Sequence, residues 1–108
     1  MRPIRYDELT QAISRRHHRI LASEAIAAAA QTGGIIALGS IDLNDFKAVN
    51  DTYGHDVGDE CLRAFADGIR ANPVEDMIFS RIGGDEFTIV LPGFGKQGGF
   101  AEGFPFGF

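Results

Sequence analysis

The chain has no tryptophan, one cysteine, two methionines and four prolines in 108 residues. With Cys61 as the single thiol, an intrachain disulfide and a thiolate metal cluster are both excluded. No apolar run approaches the roughly 20 residues of a membrane-spanning helix, and the N-terminus has no signal-peptide core. A cytoplasmic protein without direct membrane insertion is therefore expected. Positive charge is also scarce, since 10 Lys and Arg against 15 Asp and Glu leave a net charge of −5. A nucleic-acid polymer needs clustered cations, so a general polymer-binding surface is not expected. Nucleotides stay open, because magnesium can bring phosphates to carboxylates.

What is present reads as one soluble domain, with 44% hydrophobic and 23% charged residues. After a short lead, Asp7 to Ala30 reads as a single helix, with Leu9, Ile13, Ile20 and Leu21 near helical spacing and Gly33-Gly34 stopping it. The run Arg15-Arg16-His17-His18-Arg19 is taken as a solvated helix face, because consecutive helical residues do not face one another and adjacent histidines cannot share a metal. Ile35 to Ile41 is nearly continuous in apolar residues and ends in Asp42, which predicts a strand buried on both faces with an acid at its carboxyl end. Asn44 or Asp45 could cap a short helix carrying Phe46, Lys47 and Val49. A longer helix from about Val57 to Ala71 carries Val57, Cys61, Leu62, Phe65 and Ile69 as one apolar stripe, so Cys61 is expected in the core. Asn72-Pro73 ends it.

Two short apolar runs follow, Met77 to Ile82 and Phe87 to Leu91, separated by Gly83-Gly84-Asp85-Glu86. This pattern predicts a hairpin with a charged tip, and Gly-Gly suits the positive φ angles of a tight primed turn. Asp85 and Glu86 then lie at or just beyond the turn, pointing to opposite faces. The order strand, helices, strand, strand implies an α+β layer in which Asp42 meets the Gly-Gly turn at one end of the sheet. From Gly93 onward the pattern is lost, with six glycines and five phenylalanines in the last sixteen residues. Residues 1–92 are thus read as the domain. Residues 93–108 are read as a tail, either disordered or packed by its phenylalanines over a sheet edge. Gly95-Lys96 lacks the spacing and the Ser or Thr of a phosphate-binding Walker loop.

Asp42, Asp85 and Glu86 are the candidate metal set. Carboxylates crowded at one sheet end repel, and a divalent cation relieves this while neutralising phosphate charge and activating a hydroxyl nucleophile. Between them, Asn50 and Asp59 bracket a glycine turn. An amide and a carboxylate so placed can read a guanine edge, or Asp56 or Asp59 can simply cap the second helix while Asn50 ends the first.

Asp42-Leu43-Asn44-Asp45-Phe46-Lys47, Asn50-Asp51, Gly54-His55, Gly58-Asp59 and Gly83-Gly84-Asp85-Glu86-Phe87 resemble, in order and spacing, the signature of GGDEF domains, the diguanylate cyclases. Asp7-Glu8-Leu9-Thr10 and Arg15-Arg16 look like that family's opening motif. The resemblance spans about residues 7 to 93 and implies a nucleotidyl-cyclase-like, ferredoxin-like palm sheet with helices packed on it. It further implies condensation of two GTP molecules to cyclic di-GMP, each GTP held by one subunit of an antiparallel homodimer. Carried over by position, Asp42, the Leu43 carbonyl and Asp85 hold Mg²⁺ or Mn²⁺, and Glu86 assists metal binding or deprotonates the 3′-hydroxyl. Asn50 and Asp59 bind guanine, the Phe46-Lys47 backbone contacts phosphates, and His55 falls within the substrate-binding motif. A sensor domain, not among these residues, attaches in such proteins ahead of the helix expected from Asp7.

Some positions depart from the family pattern. Gln11, Ala12 and Ser14 stand where the family usually has Gly, Leu and Asn, and Asn44 replaces a usual Asp. Val74 and Met77 occupy the Arg and Asp positions of the family's product-inhibition site, so no product binding is expected there. Family members continue past the hairpin with a further helix, more strands and basic residues, where this chain has its Gly/Phe tail. A degenerate module that binds GTP without turnover, or an inactive fragment, is the alternative to a cyclase.

Overall fold

The lead segment does not enter a helix at Asp7. In the computed structural model, which describes residues 5–92, residues 7–10 form a turn instead. The Asp7 carboxylate accepts from the Thr10 amide at 2.9 Å and from its hydroxyl at 2.7 Å. Gln11 then takes a φ of 62°, a left-handed conformation through which a right-handed helix cannot continue. The helix α1 (Arg15–Thr32) begins only after Ser14, whose hydroxyl accepts from the His17 amide at 3.1 Å. Gly33 ends it at a φ of 72°, with its amide bonded to the Ala29 carbonyl, as a glycine at that position readily does.

Three strands follow the lead: β1 (Ile36–Asp42), β2 (Ile78–Arg81) and β3 (Glu86–Pro92). They form an antiparallel sheet in the order β1-β3-β2. Ile13 adds a parallel bridge to Ser80, its amide bonding the Phe79 carbonyl and its carbonyl accepting from the Arg81 amide. The expectation that the Ile35–Ile41 run is buried on both faces is not met. β1 is an edge strand among the described residues, and Leu38 is 72% exposed.

Strand alternation explains where the core lies. Phe87, Ile89 and Leu91 of β3 and Phe79 of β2 share one face, against which α3 (His55–Ala71) packs Leu62, Ala66 and Ile69. The Phe79 and Phe87 rings stack at 5.3 Å and Phe65 tilts onto Phe87 at 5.1 Å. Each fully buried aromatic contributes about 1.5–3 kcal/mol. The helical stripe is therefore Gly58, Leu62, Ala66 and Ile69, with Phe65 beside it. Val57 and Cys61 lie on the solvent side, contrary to the sequence reading. The short α2 (Phe46–Tyr53) packs on α3 and sends Phe46 towards the core. Gly54, at a φ of 92°, both ends α2 and precedes α3 without a side-chain cap, so Asp56 and Asp59 cap nothing and α3 starts two residues earlier than expected.

The opposite face carries Ile78 and Ser80 of β2, Thr88 and Val90 of β3, and Ile36, Leu38 and Ser40 of β1. There α1 lies chiefly over β2, and His18 Nδ1 sits 3.0 Å from Ser80 Oγ. β2 and β3 form the expected hairpin with a different turn. Ile82 and Gly83 both donate to the Glu86 carbonyl, at 2.8 and 3.2 Å, across a four-residue link. Neither Gly83 nor Gly84 has a positive φ, because the longer link removes the need for it. Among the described residues no helix is long and apolar enough to cross a membrane. The expectations stated for residues 93–108 concern a segment outside the described residues.

Candidate active site

The β1–β3 register sets Asp42 directly opposite Glu86. Paired residues of an antiparallel ladder project from the same face with Cβ atoms about 5 Å apart, so two carboxylates face each other where like charges are destabilising. One residue further, the Leu43 amide donates to the Asp85 carbonyl at 3.2 Å, which ties the third acid to the end of β1. Asp85 and Glu86 are half-buried and Asp42 is exposed. None of the three forms an ion pair among the described residues. Nor, among those residues, do three acidic, histidine or cysteine side chains converge as a closed metal cluster. The donor set is one of hard oxygens, two opposed carboxylates with a third acid beside them. That suits a cation which takes only one or two protein carboxylates and fills its shell from phosphate and water.

Three residues of loop lead from Asp42 to α2, so the second half of the site follows at once. Asp45 precedes α2 at a φ of 61° and its side chain caps nothing, which leaves the amides at the start of the helix, at Phe46 and Lys47, without a side-chain partner. Lys47 itself is exposed. Asn50 lies one turn on, and its Oδ1 is buried without a hydrogen-bond partner. A buried acceptor left unmade costs about 1–3 kcal/mol, and a ligand donor would satisfy this atom once the carboxamide turned it away from Gly58. Gly58 makes room for it: a Cβ on Gly58 would stand 1.8 Å from Asn50 Oδ1. Half-buried Asp59 follows Gly58 in α3, and exposed His55 opens that helix.

Arg81 is a residue whose role the sequence reading did not assign. Its Nε donates to the Gly83 carbonyl at 3.1 Å and its Nη2 to the Gly84 carbonyl at 2.8 Å, while Nη1 reaches both Asp7 carboxylate oxygens at 3.1–3.2 Å. One guanidinium thus binds the turn carrying Asp85 to the lead segment, using the planar donor fork that lysine lacks. Burial alone would push the Asp7 carboxyl up, but the Thr10 bonds and Arg81 outweigh it and hold the carboxyl below its usual value. A cation just ahead of a Gly-Gly turn was the available signal. A cleft of about 320 Å³ lies on this side of the turn, beside Arg15, and none of the three acids lines it. Val74 and Met77, at the positions of the product-inhibition motif, are half-buried and pack on the core.

In sequence and in fold the chain is similar to known proteins. The sequence profile described as "Diguanylate cyclase, GGDEF domain" matches residues 4–102. The diguanylate cyclase DosC of Escherichia coli is 44% identical over 89 residues, which cover 79% of this chain and 18% of DosC. DgcS of Shewanella oneidensis is 38% identical over 88 residues, covering 82% of this chain and 30% of DgcS. The chain spans less than a third of the length of either relative. Among solved structures, the GGDEF domain of DgcB from Caulobacter crescentus, determined in complex with c-di-GMP, superposes with a TM-score of 0.80 at 32% identity, over 86% of this chain and 54% of that one.

Proposed function

This chain belongs to the GGDEF domain family, and we propose that it carries the donor half-site of a diguanylate cyclase, joining two GTP molecules into cyclic di-GMP with release of pyrophosphate. The observation that carries this reading is the register of β1 on β3, which brings Asp42, Leu43, Asp85 and Glu86 to one sheet end beside the start of α2. Asn50 Oδ1 accepts from the guanine amine, and the Asp59 carboxylate accepts from the ring N–H and that same amine. The Phe46 and Lys47 amides donate to phosphate oxygens at the helix start, where the backbone is free and the dipole favours anions. Asp42, the Leu43 carbonyl and Asp85 would hold Mg²⁺ or Mn²⁺, with Glu86 assisting. When bound, the metal neutralises phosphate charge and makes the 3′-hydroxyl easier to deprotonate.

Glu86 would take the 3′-hydroxyl proton on a carboxylate oxygen while the 3′-oxygen attacks the α-phosphate of the GTP held by a second copy, breaking the α–β phosphoanhydride bond and displacing pyrophosphate. Two copies facing each other antiparallel bring both attacks about, so catalysis needs a homodimer. The test is incubation of the purified chain with GTP and Mg²⁺ or Mn²⁺, followed by chromatography, beside Asp42→Ala and Glu86→Ala. Cyclic di-GMP should form with the unaltered chain and fall by at least about a hundredfold in either variant. GTP that raises the melting temperature only with metal, without product, would replace this reading with a binding module.

A further inference from the structure

The face of the sheet that α1 covers is covered only in part. α1 lies chiefly over β2, and beside it the face turns bare towards β1, where Leu38 is exposed and Ile35, just ahead of the strand, is 57% exposed. Between helix and strands runs a groove of about 520 Å³ whose walls include Leu21, Ala25, Ala28, Ile36 and Ile78, with Pro92 at its end. Glu24 and Asp76 also border it. We propose that this groove is the docking site for residues 93–108 of the same chain, seated through their phenylalanines.

Three observations select this occupant over a second copy of the chain. Pro92, the last residue of β3, is itself part of the groove wall, so the segment that follows starts in place. A tethered segment faces its site at an effective concentration of the order of millimolar, which a separate chain at micromolar concentration does not match. The segment also has the matching chemistry. Phe94, Phe100, Phe104, Phe106 and Phe108 supply apolar anchors, six glycines let the backbone turn sharply, and Lys96 is its one cation for an acidic border.

The test uses the full 108-residue chain with Cys61→Ser and one new cysteine for a nitroxide label, at exposed Ala28 or, separately, at exposed Glu24. With ring-labelled phenylalanine, the signals of one or more of the five tail residues should vanish near either label, return on reduction of the nitroxide, and be unaffected by dilution. A label at Lys47→Cys, on α2, should leave them intact, and Ala25→Asp in the groove should restore them. The proposal fails if the tail signals stay sharp while Phe79 and Phe87 keep the dispersed shifts of a folded core. It also fails if broadening arises between a labelled and an isotope-bearing chain in a mixed sample, since the occupant would then be a second copy.

Discussion

Gln11 holds a φ of 62° that a glycine would adopt at little cost, and the family pattern has glycine there. Replacing it by Gly should raise stability by about 1 kcal/mol, the left-handed penalty of an L-residue less the added freedom of the unfolded chain. The check is an increased urea midpoint with an unchanged slope. Gly58 presents the reverse case. Gly58→Ala would push its methyl into the Asn50 carboxamide, a side chain able to swing away, so the fold should lose no more than about 1 kcal/mol while metal-dependent GTP binding weakens by roughly tenfold. Both positions could be read from the sequence only as members of a motif. Their physical reasons, a backbone angle and a close approach of α2 to α3, are properties of three dimensions. Cys61 was misread for a related reason: on α3 its spacing from Leu62 and Phe65 fits a stripe, but the helix turns Gly58, Leu62 and Ala66 inward instead.

Between elements, α1 meets β2 through His18 and Ser80, and burial lowers the affinity of His18 for a proton. A depressed folded pKa means that the contribution is complete above the ordinary value of 6.5 and is lost as the pH falls through the lower, folded value. Stability should therefore decline from about pH 6.5 downward, and His18→Gln should flatten that slope in urea titrations taken pH by pH. Asp7 adds a separate acid limb, because its contribution holds above the ordinary 3.8 and fades only as the pH drops through its still lower folded value. At this scale the hairpin, α3 and the meeting of Asp42 with the Gly-Gly turn were legible, since each rests on local periodicity or on turn residues. The start of α1 was not. Leu9 and Ile13 imitate helical spacing, while the Asp7–Thr10 hydrogen bonds and the Arg81 fork, a partner 74 residues away, decide the matter.

For the whole molecule, the sheet order leaves β1, among the described residues, as an edge whose Ile36–Ile41 stretch carries no charge to discourage pairing with another strand. Leu38→Lys should lower concentration-dependent light scattering and leave thermal stability within about 0.5 kcal/mol of the parent, Leu38 being exposed already. The apolar run itself was plain in the sequence, but its burial was not, because burial depends on which neighbours the sheet provides. The same sheet order bears on how the chain is made. β1 has its ladder partner at residues 86–92, and Ile13 has its own at 79–81. A ribosome adding roughly 5–20 residues each second leaves β1 unpaired for about 2–10 s after its own synthesis. Throughout that interval the nascent polypeptide displays its stickiest segment before its ladder partner exists, so β3, the last to emerge of the three described strands, is the one that joins the other two.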